Sequence, residues 1–371
     1  MSNNHNIILV GRSGYFENGY KSGEGIQRYA YNLYTNLKST YIFNIKTVET
    51  PLSNILVPGY GFLRDKFYLS NKKIFTSENI IHYTDPGVYL PELKEKTVIS
   101  TIHDLIPILE PDIVNNIPKY KYLKYNFIRK SLHQINKFSM RFNNLCILSN
   151  LKNSDYLIAN STQTKGAVIS FGIKNKKIKV INLGLNKNFI KSIKINKDKH
   201  DRPFEIGYIG GLIYRKNIKF AINAIKSIED AKISLNIYGS ISKYARMLQE
   251  NYSDKRIKFL GFAPEKKLIE IYDSFDVFVF PSLYEGFGLP ILEAQSRGLP
   301  IIIYKYGKIP KEVRKYCFEA ESPEHMAQII ENIKKNGYNE KLKKKATEYA
   351  RSFTWERCAR ETLTAYRSVL R

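Results

Sequence analysis

Short apolar strand-like runs alternate with helix-compatible stretches along most of this chain, and the alternation is set out twice. Runs of four to six β-branched or aromatic residues between glycine, proline or polar segments suit strands covered on both faces. Strands of that kind separated by helices call for parallel sheets with helical crossovers. The first half opens with a strand at Ile7 to Val10, a glycine-rich loop "GRSGYFENGYKSGEG" and a helix "GIQRYAYNLYTNL"; further strands are predicted at Ile80 to Tyr83, Thr97 to Ile102, Tyr156 to Ala159 and Ile178 to Ile181. The second half repeats the order with "FEIGYIG", the helix "NIKFAINAIKSI", "ISLNIYG", "IKFLG", a helix near "EKKLIEIYDSF", "DVFVFPS" and "IIIY". Between them "NKNFIKSIKINKDKHDRP", residues 186–203, is polar, basic and weakly periodic, which marks a linker. The 371 residues suffice for two domains with separate cores. The predicted fold is α/β: two Rossmann-like domains, 1–185 and 204 onward, with a cleft between them.

Cysteine usage and hydropathy narrow the setting. Cys146, Cys317 and Cys358 lie far apart, giving neither a disulfide framework nor the paired spacing of a zinc site. A reducing, cytoplasmic setting is expected. The opening "MSNNHNIILVGRSG" has no basic segment followed by a long apolar run, and no window reaches the roughly 18 apolar residues of a membrane span.

The formal charge of +25 is uneven, with +16 over residues 1–200 and +9 over the rest. No acidic residue falls between Asp112 and Asp155. Inside that stretch Lys119 to Arg141 can form a helix with Leu123, Phe127, Ile128, Leu132, Ile135 and Phe138 at helical spacing. Two readings fit it: a basic amphipathic helix resting on an anionic membrane surface, or a core-facing helix with a solvated lysine face. Nucleic acid is not expected as a partner, since no nucleic-acid motif accompanies the charge.

Two familiar phosphate-binding patterns fail. In "SGEGIQR" Arg28 stands where a dinucleotide fingerprint needs its third glycine, and the loop from the first strand is too long. There is no G-x-x-x-x-G-K-[ST] either. Chemistry is better placed in "GYIGGLIYRKNIKFAINAI". Here a strand runs into Gly210 and Gly211, Arg215 and Lys216 follow, and Asn217 is positioned to cap a helix that buries Ile218, Ala221, Ile222 and Ile225. A helix N-terminus beside two cations suits phosphate. The other candidate is "FPSLYEGFGLPILEAQSRGLPIII", read as strand, loop, helix and strand, with Glu285 in the glycine loop and Glu293 at the start of the helix. Carboxylates accept hydrogen bonds only, which suits sugar hydroxyls, and amides around Gly286 and Gly288 can approach an oxygen-rich ligand closely. Glu293 also has a plain reading as a helix-dipole partner.

These residues resemble the retaining glycosyltransferases of family four, which have the GT-B fold. The resemblance rests on "SLYEGFGLPILEAQSRGLPII", with seven residues between Glu285 and Glu293, and on "GEGIQRYAYNL", "TIHDLIP", "IGGLIYRKN" and the terminal "FTWERCARETLTAYRSVL" in matching order. It implies that Glu293 bonds the nucleotide ribose and that Glu285 lies near the donor sugar. The amides of Gly286, Phe287, Gly288 and Leu289 would hold sugar and diphosphate, and Gly210, in the loop before Arg215, would also lie on the donor side. Arg215 and Lys216 would neutralise the departing diphosphate. Gly211 departs from the pattern, many members having arginine there, so the cationic role falls on the later pair. His103 matches a histidine that faces the donor sugar across the cleft, Gly23 and Gly25 a loop approaching the diphosphate, and Arg28 an acceptor-side position. On the residues alone, His103 reads equally as a satisfied histidine at a strand end, and Asp104 as the cap of the next turn.

The resemblance further implies a first domain (1–185) that binds the acceptor, a second (204–352) that binds the nucleotide sugar, and a last helix (353–371) crossing back to the first. The implied reaction retains the anomeric configuration by front-face attack and moves a hexose, with GDP-mannose as the first donor to consider. The acceptor is a glycan or a lipid-linked glycan, met by variable loops such as 50–75 and 110–145. No metal or other cofactor is expected: there is no Asp-x-Asp pair, and the acidic residues of "DSFD" near 273 are predicted to face solvent. Glycosidase chemistry is the rival use of the two glutamates, but their placement in a strand–loop–helix unit favours donor binding; a GT-B epimerase or phosphorylase and a non-catalytic polyanion-binding protein on the same fold stay open.

Overall fold

The computed structural model describes residues 6–12, 14–16, 25–40, 44–50, 69, 80–88, 90–91, 93, 96–110, 144–191, 202–240 and 243–370. The basic helix expected over 119–141, Gly23, and nearly all of the loops 50–75 and 110–145 lie outside the described residues. The chain divides into two compact units, one of Met1–Glu110, Tyr120–Gly184 and Trp355–Arg371, the other of Pro111–Lys119 and Leu185–Thr354.

In the first unit β1 (Asn6–Arg12), β2 (Asn44–Thr50), β3 (Ile80–Tyr83), β4 (Thr97–Ile102), β5 (Tyr156–Ala159) and β6 (Ile178–Val180) form a parallel sheet in the order β2-β1-β3-β4-β5-β6. The central strands are the apolar runs of the sequence and are buried throughout, as at Ile7 to Val10 and Leu157 to Ala159. β2 is an additional strand that the sequence reading lacks. Its "NIKTVET" is half polar because it forms one edge of the sheet and most of its side chains are exposed or half-buried. Helix α1 (Gly25–Lys38) buries Tyr29, Ala30, Leu33 and Leu37, the spacing of one helical face. Helix α2 (Thr162–Ser170) starts at Ser161, whose hydroxyl accepts from the Thr164 N–H.

The second unit carries β7 (Phe204–Ile209), β8 (Ile233–Tyr238), β9 (Ile257–Gly261), β10 (Val277–Phe280), β11 (Ile301–Tyr304) and β12 (Phe318–Ala320) as a parallel sheet in the order β12-β11-β10-β7-β8-β9. From β7 the chain builds outward through β8 and β9, then returns to β10 on the other side of β7. This reversal is where open α/β sheets bind ligands, at the carboxyl ends of the strands. Among its helices are α3 (Ile218–Lys226), α4 (Leu268–Ser274), α5 (Leu289–Ser296), α6 (Pro323–Asn336) and α7 (Glu340–Arg351). Gly207 in β7 has to be glycine, because a Cβ there would overlap the ring of Phe275.

The "DSFD" segment corrects the sequence reading. Asp273 and Asp276 are buried, and each carboxylate is held by an arginine. Asp273 takes two bonds from the fully buried Arg297 at 2.8 and 2.7 Å, and Asp276 takes two from Arg202 at 2.9 and 2.8 Å. The partners lie 24 and 74 residues away, so no local pattern reveals them.

The last helix, α8 (Trp355–Val369), belongs to the first unit and buries Cys358, Ala359, Thr362, Leu363, Ala365 and Tyr366. A polar relay ties it there. His82 Nδ1 lies 2.6 Å from the Tyr366 hydroxyl, His82 Nε2 lies 2.8 Å from Thr101 Oγ1, and that oxygen is 2.8 Å from the Tyr29 hydroxyl. A neutral imidazole has one donor and one acceptor, and hydroxyls can serve either need. Burial, reinforced by the neighbouring His103, pushes the His82 pKa down to about 3. As pH falls below about 6.5, the unfolded chain takes up a proton at this residue while the folded chain does not, so stability should drop by up to about 1.4 kcal/mol per pH unit. Urea denaturation between about pH 6.5 and 5, where carboxylates remain ionised, should show that slope, and His82→Gln should flatten it.

Candidate active site

The site forms where β7 and β10 end. After β7 the chain turns through a short 3₁₀ segment, Tyr214–Lys216, and enters α3 at Ile218. Asn217 between them has φ 51° and ψ 35°, and its side chain makes no capping bond, which corrects the expected N-cap. A capping side chain needs extended backbone at that position; the left-handed turn instead swings the preceding cations toward β10.

Glu285 receives them. Its carboxylate is buried, with Oε1 2.6 Å from Lys216 Nζ and 3.4 Å from Arg215 Nη1. Arg215 Nη1 also donates to the Tyr284 carbonyl, and the Arg215 carbonyl accepts from the Leu283 N–H at 2.9 Å. On its other side the same loop pairs with Lys308, whose N–H donates to Leu283 O at 2.8 Å and whose carbonyl accepts from Glu285 N–H at 2.9 Å. Two glycines permit close approach here, Gly307 beside Lys308 and Gly239 between the end of β8 and the loop after β7. A Cβ on Gly307 would overlap the Ser282 carbonyl, and one on Gly239 would overlap the Gly210 carbonyl.

The electrostatics follow from that packing. Burial alone would raise the Glu285 pKa, but attraction to Lys216 and Arg215 and the hydrogen bond from Lys216 outweigh it and hold the carboxyl below its ordinary range. Lys216 Nζ also lies 5.0 Å from the centre of the Phe280 ring. One carboxylate thus aligns two cations at a strand-order reversal.

Glu293 sits differently from the sequence reading. The helix opens at Leu289 behind Gly288, which has φ 104°, and Glu293 is the fifth of its eight residues. It is therefore a full turn inside the helix and buried, and Tyr272 donates to its Oε2 at 2.8 Å. The helix-dipole reading falls, since that effect fades within the first turn.

The remaining candidates divide between the units. Gly286, Phe287 and Gly288 form the buried loop between Glu285 and α5, which opens at the buried Leu289, and Phe287 packs against Phe353. Gly210 is bonded to Tyr238 O through its N–H, and Gly211 is exposed beside it. In the first unit, Gly25 opens α1 with space around the position of a Cβ, and Arg28 lies half-buried one turn later. His103 follows β4 and is buried, its Nε2–H donating to Thr84 O at 2.8 Å; burial lowers its pKa, so the ring is neutral near pH 7. Asp104 accepts from Ile106 N–H at 3.2 Å, as expected of a turn cap. Gly307, Lys308 and Tyr272 escaped the sequence reading. The glycine in "YKYGKIP" just after a strand was the one available signal.

Comparisons with known proteins bear on the fold and on the second unit. Residues 189–353 match the family described as glycosyl transferases group 1. The O-antigen chain mannosyltransferase B of Escherichia coli is 24% identical over 304 residues, 77% of this chain and 74% of that protein. An uncharacterised glycosyltransferase of Methanocaldococcus jannaschii is 28% identical over 238 residues, 61% of this chain and 60% of that one. Among solved structures, Anabaena HepE in complex with UDP superposes with a TM-score of 0.68 at 16% identity, covering 98% of this chain and 100% of that one. Sucrose-phosphate synthase from Thermosynechococcus elongatus gives 0.72 at 18% identity, covering 99% of each. At such identities the structures establish the fold, which is GT-B, and the match to glycosyl transferases group 1 is confined to residues 189–353. Among the described residues no helix is long and apolar enough to cross a membrane.

The ion pair makes a testable demand. With its pKa depressed, Glu285 contributes stability that is fully present above the unfolded-state value near 4.3 and is lost progressively as pH falls from there through the lower folded value. Lys216→Met leaves burial in place and removes the larger attraction, so the carboxyl pKa should rise and this contribution to stability should shrink. Carboxyl-carbon NMR of both proteins across an acid titration should show the upward shift.

Proposed function

We propose that this chain is a retaining glycosyltransferase that moves a hexose from a nucleotide-sugar donor to a hydroxyl of a glycan or lipid-linked acceptor. The observation that carries the reading is the pair Arg215 and Lys216 held on buried Glu285 at the strand-order reversal of the domain matched to glycosyl transferases. In the reaction the bond from the anomeric carbon to the donor phosphate oxygen breaks, and the bond to the acceptor oxygen forms on the same face. The acceptor proton passes to the departing phosphate oxygen, so no side chain acts as nucleophile.

Arg215 and Lys216 stabilise the charge that grows on the diphosphate, in a site where Glu285 has already oriented them. Glu285 also leaves a negative carboxylate near the sugar as it gains positive character. The Gly286 to Leu289 segment contributes amides, and Glu293 takes the ribose diol. The chemistry as proposed uses no metal.

The relative from E. coli is named a mannosyltransferase, and HepE was solved with UDP and UDP-glucose. GDP-mannose is accordingly the first donor to test and UDP-glucose the second. The surplus of +25 supports seating the basic segment 119–141 against an anionic membrane from the cytoplasmic side.

Incubating the protein with either donor and following nucleotide release tests the reading. Wild type should release nucleotide, faster with a competent acceptor, and Lys216→Ala should lower kcat/KM by roughly a hundredfold or more. The anomeric proton coupling of the product should match that of the donor. Polyanion binding that is unaffected by Lys216→Ala, with no turnover of any nucleotide sugar, would favour the non-catalytic alternative.

A further inference from the structure

We infer that Tyr272 is a positioning residue for the nucleotide ribose, acting through Glu293; the inference rests on the donor-binding role proposed above for Glu293. Glu293 lies on α5, is only 4% exposed, and accepts a 2.8 Å hydrogen bond at Oε2 from the Tyr272 hydroxyl. The Pro290 carbonyl is a poorer acceptor for that proton, at 3.5 Å and without formal charge.

The tyrosine is held in place more firmly than the bond needs. Its side chain is fully buried, with Phe189 at 5.7 Å, Phe278 at 5.4 Å and Phe275 at 6.4 Å between ring centres. The next residue, Asp273, is clamped to Arg297 just beyond the end of α5. Consecutive residues of α4 thus grip the same helix, one through Glu293 and one through Arg297. A carboxylate on a flexible Glu side chain can rotate about its last bond; the tyrosine bond fixes that rotation and leaves the other oxygen at a set angle.

A vicinal diol is recognised by a carboxylate only when both oxygens have the right orientation, since two hydroxyls at fixed separation must donate together. Tyr272 therefore acts on ribose recognition without touching the ribose. A purely structural tyrosine would weaken the fold and affect every ligand alike.

Calorimetric titration with UDP and GDP, each beside its 2′,3′-dideoxy counterpart, separates these cases. The wild type should bind the ribonucleotide at least tenfold more tightly than the dideoxy form. Tyr272→Phe, which keeps the ring and its packing, should cost the ribonucleotide about five- to tenfold in affinity, by loss of one charge-assisted bond, and leave dideoxy binding within twofold. Glu293→Gln should abolish the discrimination by itself, and adding Tyr272→Phe to it should cost nothing more. That double variant also reads the coupling if either single change lowers thermal stability. Equal losses for ribo and dideoxy ligands, or no loss in Tyr272→Phe, would overturn the inference. A wild type that binds UDP or GDP without preferring ribose overturns the role of Glu293, whereas one that binds neither nucleotide overturns the donor reading itself.

Discussion

A carboxylate buried at the end of a parallel sheet needs compensating charge, and the second unit is arranged around that need. Desolvating Glu285 without a partner would cost several kcal/mol. Lys216 and Arg215 meet the cost, and in doing so they fasten the loop after β7 to the loop after β10. The backbone then closes around the pair: Leu283 bonds to Arg215, and both Leu283 and Glu285 bond to Lys308. Three chain segments, 68 to 70 residues apart at one joint and 23 to 25 at the other, are joined into a single turn. Gly307 matters because a side chain there would push its segment off the Ser282 carbonyl, and Gly239 because one there would push the end of β8 off the loop after β7.

Such preorganisation has a chemical consequence. Cations already oriented by a protein carboxylate pay little further reorganisation when charge develops on a leaving group, which is the condition for strong electrostatic catalysis. The same carboxylate reduces the net positive charge of the resting cluster, so an anion that binds there must share the cations with Glu285. Under the proposed function, affinity for a diphosphate in the ground state would be moderated, while added charge in the transition state would still find the donors aligned.

What the sequence made legible follows from range. The central strands were visible because each is a contiguous apolar run covered on both faces, as at Val277 to Phe280 and Ile301 to Ile303. The cations and Glu285 were visible as residue types at strand ends. β2 was not, because an edge strand keeps only half the pattern, and Lys308 was not, because it contributes backbone atoms that any residue possesses. Asp273 and Asp276 misled, since acidic residues near a helix end usually face water and their arginines lie far off in sequence. Asn217 misled for a local reason: its side chain suits a cap, but its backbone is left-handed.

The two units reach similar solutions from different strand orders. In the first, the order reverses between β1 and β3, and there Arg12 Nε meets Asp85 Oδ2 at 2.8 Å, with the Tyr15 hydroxyl donating to the same oxygen at 3.1 Å and Gly87 N–H to Oδ1 at 2.7 Å. Asp85 is almost wholly buried, whereas the side chain of Arg12 remains about half exposed. In the second, the carboxylate is likewise the buried partner and the cations the more accessible ones. A strand-order reversal splays the crossover connections to opposite sides and exposes the strand ends between them. The loops that leave those ends must be tied across the gap without filling it. A short acidic side chain set deep, with longer basic chains reaching over it, does this with few atoms, and it leaves the polar rim of each sheet facing outward.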